Sequence, residues 1–249
     1  MKKIMELKNV SLIYQTLDDE ITAIDGLTFN CNEGEFLSII GPSGCGKTSI
    51  LSLIAGLIKP TSGTIKINGR NDSVINNLGY MLQKDHLFPW RTIEKNVLLP
   101  LEIKKINTKE NKQYALSLLK KYGLIDFKDK YPEQLSGGMR QRVALIRTLV
   151  SKPDILLLDE PFSALDYQTR LAVCDDVYKI IKSEKKTTVL VTHDISEAIS
   201  MSDIIVVLSA RPAQVKSVHR PMIDLPSPLE RRETVRFSNC FAEIWKELN

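Results

Sequence analysis

The chain has 249 residues, 43% of them hydrophobic, enough for the core of one large α/β domain. Lys and Arg number 34 and Asp and Glu number 30, so the excess of positive charge is small. Nucleic-acid-binding proteins usually show a concentrated basic stripe, and we therefore expect no nucleic-acid partner. The amino terminus lacks the apolar stretch of a signal peptide, and no apolar run approaches the roughly 18–20 residues of a membrane span. We therefore expect a soluble protein that reaches a membrane only through a partner.

The cysteines exclude a zinc site as the basis of the fold. They form no CxxC pair, and their spacing matches no metal-binding pattern. We expect free thiols in a reducing compartment. The four are Cys31, Cys45, Cys174 and Cys240.

Short apolar runs alternate with helical patterns along most of the chain. The first 35 residues favour antiparallel strands around turns such as Asp25-Gly26. Buried strands are predicted at 35–40, 78–82, 155–159, 188–192 and 204–208, with helices at 47–55 and 167–184. Such alternation implies a largely parallel sheet covered by helices on both faces.

Residues 89–149 depart from that alternation. They carry helical patterns at 92–103, at 108–122 and from Gly137 onward, with no convincing strand. We interpret them as an all-helical subdomain inserted into an α/β core formed by 1–88 and 150–220. A last helix is predicted over 229–249, and one face of it is expected to pack on the body. The apolar residues of that helix are Val235, Phe241, Ile244, Trp245 and Leu248.

The segment between the first buried strand and its helix matches the phosphate-binding pattern G-x-x-x-x-G-K-[ST]. Its residues are Gly41, Pro42, Ser43, Gly44, Cys45, Gly46, Lys47 and Thr48, and Ser49 follows them. Glycines let backbone N–H groups surround a phosphate, and the helix start adds partial positive charge. We expect Lys47 to reach the β- and γ-phosphates and Thr48 to ligate Mg²⁺. The alternative, a glycine-rich turn before a helix, is disfavoured by this strand–helix context.

A second motif closes the strand predicted at 155–159. Four aliphatic residues lead into Asp159 and Glu160. We expect Asp159 to hold the Mg²⁺ shell and Glu160 to deprotonate or orient the water that attacks the γ-phosphate. A strand ending in Asp-Glu is by itself more often a surface carboxylate pair, so this interpretation depends on the phosphate loop.

A third motif, Leu-Ser-Gly-Gly-Met-Arg-Gln-Arg at 135–142, precedes that strand. Ser136 can cap the following helix, Gly137 and Gly138 allow close backbone approach, and the helix start offers N–H groups to an anion. The alternative is an ordinary capped helix. That alternative leaves unexplained why one chain carries two phosphate-binding devices.

With these motifs the sequence resembles the ATP-binding cassette (ABC) ATPases over essentially its whole length, since LSGGMRQR is similar to their signature motif. The resemblance implies a single ABC ATPase domain over 1–249: a P-loop NTPase (RecA-like) core with an antiparallel β subdomain and an inserted all-helical subdomain. It also implies ATP and Mg²⁺ as ligands, and ATP hydrolysis.

The resemblance assigns roles to further residues. Tyr14 matches the aromatic that stacks on adenine, and Gln83 the glutamine that contacts Mg²⁺ and the attacking water. Asp166 lies in the loop that crosses the dimer interface, and His193 matches the residue that contacts the γ-phosphate. On the residues alone, Tyr14 could instead be packed in the core, and His193 could be structural.

The resemblance also implies a head-to-tail dimer. Ser136 and Gly138 of one chain would bind the γ-phosphate held by residues 41–48 of the other. The chain carries one set of motifs, so a second copy of itself is the simplest partner. One copy alone should bind ATP but hydrolyse it poorly.

The stretch Leu-Phe-Pro-Trp-Arg-Thr-Ile-Glu-Lys-Asn-Val is similar to the importer ATPases of the nitrate, sulfonate and taurine group. We therefore expect transmembrane permease subunits to dock on residues 83–97, the docking segment, which begins at Gln83 and ends at Val97. The expected location is the cytoplasmic face of the cell membrane, with an extracytoplasmic substrate-binding protein as an indirect partner. On the residues alone, Leu87, Phe88 and Trp90 could instead be buried.

Two other classes remain as alternatives. One is the cassette of an exporter, whose sequence usually matches less well around Phe88 and Trp90. The other is an ABC protein that acts on ribosomes or DNA. Such proteins usually carry two cassettes, a coiled coil or a zinc insertion, and none of these is evident here.

Overall fold

A computed structural model describes residues 2–15, 19–70 and 78–248. The strands are β1 Lys3–Gln15, β2 Glu20–Asn32, β3 Phe36–Ile40, β4 Ser62–Ile67, β5 Leu78–Met81, β6 Ile155–Asp159, β7 Thr187–Val191, β8 Ile204–Leu208 and β9 Val215–His219. The α-helices are α1 Lys47–Ile54, α2 Ile93–Ile103, α3 Lys109–Lys121, α4 Gly137–Leu149, α5 Tyr167–Ser183, α6 Ile195–Met201, α7 Pro228–Arg232 and α8 Val235–Leu248. They form two compact units, the first within residues 1–76 and 185–249 and the second within 77–184.

The antiparallel sheet of the first unit has the order β2-β1-β4. Our prediction of a turn at Asp25-Gly26 is wrong, because β2 runs through both residues. Opposite them the register shifts, since Val10 faces Leu27 but Leu12 faces Ile24. Gly26 has φ 64°, so the extra residue is accommodated as a bulge rather than as a turn.

The second sheet region of the first unit contains three buried parallel strands in the order β7-β3-β8, with β9 antiparallel to β8. Every residue of β3, β7 and β8 is buried. Strands buried on both faces are rich in apolar and β-branched residues, which is why the sequence pattern located them. The carboxyl ends of β3 and β7 lead into α1 and α6, where the residues predicted to bind phosphate lie.

The carboxyl-terminal helix is shorter than predicted. A break at Glu233 and Thr234 separates α7 from α8, because the Thr234 hydroxyl accepts a hydrogen bond from the Phe237 amide at 3.1 Å and begins a new helix. Ile244 and Cys240 are buried beside Ile40, Ile199 and Val207, and Phe241 and Leu248 pack against this cluster. Val235 and Trp245, by contrast, are 77% and 55% exposed, so our prediction that they share the packed face is wrong.

The second unit contains the parallel pair β5–β6 and the helices α2 to α5. Side-chain caps start all four helices: Thr92, Thr108, Ser136 and Asp166 each accept a backbone N–H. The Glu184 carboxylate after α5 accepts hydrogen bonds from Lys121 at 2.7 Å and Tyr122 at 2.8 Å, which fastens α3 to α5. Burial acts to raise the pKa of Glu184, but these donors outweigh it and hold the pKa below its usual value.

The predicted helical subdomain, residues 89–149, lies within the second unit, and our division of the chain into core and subdomain stays a prediction. In the part of the chain that the structure describes, all four cysteines are free and buried. The helices of the described residues include none with the length and apolar character needed to cross a bilayer.

Candidate functional site

The phosphate loop connects β3 to α1 in the first unit. Gly44 and Gly46 have φ 73° and 118°, values that favour glycine. Gly46 is the N-cap of α1, and no side chain caps this end. At Gly41 a Cβ would come within 3.0 Å of Cys45 Sγ and of Leu208 Cβ. Small residues therefore let the backbone curl tightly at an uncapped helix start, a geometry that suits an anion.

Lys47 is buried, and its ammonium is held inside the loop. Its Nζ donates to the carbonyl oxygens of Gly41 at 2.9 Å and Pro42 at 3.0 Å. Burial also raises the pKa of the Cys45 thiol in the same loop, so this residue adds no negative charge. A buried cation beside neutral dipoles is prepared to pair with a phosphate.

Tyr14 and Ser49 meet beside the start of α1. The Tyr14 hydroxyl lies 3.0 Å from Ser49 Oγ, and Tyr14 is 41% exposed. Tyr14 is therefore not a core aromatic, and its ring is accessible to a ligand. Stacking on adenine stays a prediction.

His193 is exposed between β7 and α6 in the first unit. The residues beside it are firmly held: the buried Thr192 hydroxyl donates to Glu197 Oε2 at 2.6 Å, and Asp194 Oδ1 caps the amides of Ser196 and Glu197. A rigid support thus presents an exposed imidazole at the carboxyl end of a buried strand. In parallel α/β sheets this is the end where ligands bind.

In the second unit the structure brings together Gln83, Asp159 and Glu160. Asp159 is buried and accepts a hydrogen bond from the Tyr80 hydroxyl at 3.4 Å. Glu160 has φ 43°, a strained value for a residue with a side chain, and such strain clusters at functional sites. Gln83 Nε2 donates to Glu160 Oε2 at 3.5 Å and to Ser163 Oγ at 3.3 Å.

The side chains predicted to bind Mg²⁺ carry oxygen atoms of the kinds that this ion prefers, namely carboxylate, amide and hydroxyl oxygens. The buried Asp159 carboxylate and the amide oxygen of Gln83 are of this kind in the second unit, as is the Thr48 hydroxyl in the first. In each unit, taken by itself, the oxygen atoms are of the kind that the implied ion prefers.

The signature motif begins α4. Ser136 is exposed and its Oγ accepts the amide of Met139 at 3.3 Å. A Cβ on Gly138 would lie 2.7 Å from Val173 Cγ2 of α5, and one on Gly137 would lie 3.1 Å from Leu165 Cδ2. Gly138 therefore allows the close approach of α4 to α5, while Ser136 at the start of α4 is exposed.

Asp166 caps α5. Its Oδ1 accepts the amide of Thr169 at 3.0 Å, and hydrogen bonding to Thr169 holds the pKa of Asp166 below its usual value. This capping role is local, and the predicted place at a dimer interface stays a prediction.

The docking segment presents an exposed aromatic pair. Phe88 and Trp90 stack with ring centroids 5.0 Å apart and are 36% and 71% exposed. Only Leu87 is buried, so the alternative in which all three form core is wrong. The aromatic pair is available to a partner surface.

Three residues of the second unit were missed by sequence reasoning. Asn96 is completely buried; it accepts the Phe88 amide at 2.7 Å and donates to the carbonyls of Phe88, Arg91 and Thr92 at 3.0–3.1 Å. Arg140 and Arg147 bond to Asp85 and His86. An amide on the apolar face of α2 is the one signal that could have revealed Asn96.

Comparison with known families matches residues 24–163 to the ABC transporter model. Over 248 residues the chain is 48% identical to the uncharacterized ABC transporter ATP-binding protein YtlC of Bacillus subtilis (strain 168), covering 98% of this chain and 95% of the relative. It is 36% identical over 245 residues to the aliphatic sulfonates import ATP-binding protein SsuB of Bacillus cereus (strain ZK / E33L), covering 98% and 94%.

A solved structure has a similar fold. It is the dimeric post-hydrolysis state of the ATP-binding cassette MJ0796 bound to ADP and Pi, which aligns with a TM-score of 0.70 at 31% identity and covers 87% of this chain and 98% of that one. The predicted fold class, an α/β P-loop NTPase of the cassette type, is confirmed.

Proposed function

The chain belongs to the ABC transporter ATPases, and on that premise we propose that it is the ATP-hydrolysing subunit of an importer for a small solute. It binds and hydrolyses ATP, as cassettes of this family do. The proposed solute is an anion of the nitrate, sulfonate or taurine type or a related small organic molecule. The similarity to an import ATPase for aliphatic sulfonates supports this class.

The observation that carries the transport role is the exposed Phe88–Trp90 stack. A rigid aromatic pair with a buried amide beneath it is suited to receive an amphipathic helix. We assign that helix to transmembrane permease subunits, which would hold the chain at the cytoplasmic face of the membrane. An extracytoplasmic substrate-binding protein would deliver the solute to them.

We assign the nucleotide contacts of the first unit to Tyr14, to the loop 41–49 and to His193. The loop amides and Lys47 bind the phosphates, Tyr14 stacks on adenine and His193 meets the γ-phosphate. Thr48, Gln83 and Asp159 would hold Mg²⁺, and the ion when bound would neutralise phosphate charge.

In the second unit Glu160 acts on the attacking water, and Gln83 orients it. Ser136, Gly137 and Gly138 serve the nucleotide held by a second copy, with Asp166 near the same interface. The dimeric state of the MJ0796 cassette supports pairing of this chain with a second copy.

A membrane pull-down tests the transport role. The tagged chain, expressed in its own host, is purified from detergent-solubilised membranes, and its partners are identified by mass spectrometry. We expect permease subunits, and stimulation of ATPase activity by a solute-loaded binding protein. Recovery of ribosomes or DNA would overturn a transport role, and an exporter-type permease would overturn import.

The two tryptophans provide a matched control for the docking segment. Trp90 and Trp245 are the only tryptophans in the sequence, both are more than half exposed, and Trp245 lies on α8. Trp90→Ala should abolish permease recovery, whereas Trp245→Ala should leave it unchanged. Equal recovery with both variants would place the docking surface elsewhere.

A further inference from the structure

Arg140 joins the docking segment to the signature motif. Its Nε donates to Asp85 Oδ2 at 3.0 Å, and its NH1 donates to the carbonyl oxygen of Leu135 at 2.7 Å. Leu135 directly precedes Ser136. One rigid guanidinium therefore spans from the docking segment to the residue beside the predicted γ-phosphate ligand.

Arg147 fastens the same segment two turns further along α4. Its NH2 donates to the Asp85 carbonyl at 2.6 Å and its NH1 to the His86 carbonyl at 2.7 Å. Burial acts to lower the pKa of Arg147 and Asp85 acts to raise it, but a guanidinium stays charged in either case. Two arginines on one face of α4 thus hold two consecutive residues of the docking segment.

Leu87 and Phe88 of the docking segment are also held by hydrogen bonds and burial. Asp85 Oδ1 also accepts the Leu87 amide at 3.1 Å, Leu87 is buried, and Asn96 binds both the N–H and the C=O of Phe88. The Phe88–Trp90 stack is therefore connected to α4 by short directional bonds. A movement of the stack is therefore transmitted to α4 and is not absorbed by loose packing.

We infer that Arg140 and Arg147 are positioning residues that link permease seating on the Phe88–Trp90 stack to the placement of Ser136 at the partner's nucleotide. The inference rests on the proposed function, since it presumes that a permease occupies the stack. Neither arginine is assigned a contact with ATP.

Linkage makes the inference testable without a permease. If a partner bound at the stack changes the affinity for nucleotide at Ser136, then nucleotide bound at Ser136 must change the affinity of the stack for that partner by the same factor. In a Trp245→Phe background, Trp90 is the single tryptophan and reports on the stack. We expect a non-hydrolysable ATP analogue with Mg²⁺ to shift Trp90 emission in this background.

Arg140→Gln should remove that shift at a concentration of analogue that saturates the variant. Arg142→Gln is the matched control, because Arg142 lies on the same helix but pairs with Asp176 of α5 at 3.6 Å. Arg142→Gln should keep the shift. A shift that persists in Arg140→Gln, or that is absent from the parent, would overturn the inference.

The second measurement uses the complex of this chain with its permease. Arg140→Gln should still recover permease from membranes, but the ratio of permease-stimulated to unstimulated ATPase activity should fall about tenfold. Adding Asp85→Asn to Arg140→Gln should cost little more than Arg140→Gln alone, since the Arg140–Asp85 bond is already absent from the single variant. Unchanged stimulation in Arg140→Gln would contradict the inference.

The two proposals fail in different ways. If the parent chain recovers no permease, the transport role fails, yet the Trp90 signal still decides whether Arg140 links the stack to Ser136. Arg147→Gln leaves two carbonyls without their donor and can unfold the protein. For that reason Arg140, whose side chain is partly exposed, is the deciding position, and Arg147→Lys tests the second arginine with its charge retained.

Discussion

Lys47 donates to two carbonyls of its own loop. A phosphate offers a full negative charge to the same ammonium, so we expect binding to replace these bonds with charge-assisted ones. Lys47→Ala should weaken ATP binding about 10- to 100-fold, measured by calorimetry. Lys59→Ala, an exposed lysine soon after α1, is the control. Unchanged affinity in Lys47→Ala would contradict the loop's role as a phosphate cradle.

Glu160 has a different task, because it is assigned to the attacking water and not to nucleotide affinity. Glu160→Gln keeps the shape of the side chain but removes its basicity. We expect hydrolysis to fall about 100- to 10,000-fold while ATP stays bound, so that a dimer accumulates. Phosphate release and size-exclusion chromatography with ATP measure the two effects. Retained turnover would remove Glu160 from the role of base.

At the scale of elements, the approach of α4 to α5 depends on Gly138. Alanine is favoured over glycine in helices, yet its Cβ here would lie 2.7 Å from Val173 Cγ2. Gly138→Ala should therefore lower the free energy of unfolding by about 1–3 kcal/mol, measured by urea denaturation. In a Val173→Ala background, where that methyl is absent, the same change should cost less. An equal cost in both backgrounds would show that the clash is not the cause.

The sequence predicted the elements whose periodicity is fixed by burial. Strands β3, β6 and β8 are mostly apolar and are buried along their length, with Ser38 and Asp159 as their polar residues. Strand β9 was missed because its alternate residues are only partly buried, and α6 was missed because seven residues are too few for a helical period to stand out. The break before α8 depends on a single hydroxyl, that of Thr234.

The candidate site divides in the same way. Residues 41–48 and the pair Asp159–Glu160 act through local backbone geometry, so a contiguous motif reveals them. Arg140 acts by binding Asp85, which is distant along the chain, and no spacing encodes such a contact. Asn96 binds backbone groups of Phe88, Arg91 and Thr92, which are near in sequence but form no recognisable motif. The sequence singled out Tyr14 but could not decide whether its ring is buried, and only the structure shows that it is exposed.

At the scale of the whole molecule, one chain carries one phosphate loop and one signature motif. If each signature serves the partner's nucleotide, ATP joins two chains and hydrolysis releases them. ATPase activity per chain should then rise with protein concentration in the range where dimers form. The chain alone, at high dilution, should bind ATP and turn it over slowly.

Mixing two inactive variants tests this pairing more sharply. Lys47→Ala disables a phosphate loop. Ser136→Asp keeps a good helix cap but sets a negative charge against the γ-phosphate. Each variant alone should be inactive, whereas a mixed head-to-tail dimer joins the intact loop of one chain to the intact signature of the other.

An equal mixture forms mixed dimers about half of the time, and each has one working site. Activity should therefore return to about a quarter of the wild-type rate when sites turn over independently. Lys47→Ala mixed with Glu160→Gln is the control, because both changes fall in the half of the site that we assign to one chain's own nucleotide. In that mixture neither chain carries both an intact phosphate loop and an intact Glu160, so every site is disabled and no activity should return. If the first mixture also stays inactive, each chain uses its own signature motif, and the head-to-tail assignment of Ser136 and Gly138 is wrong.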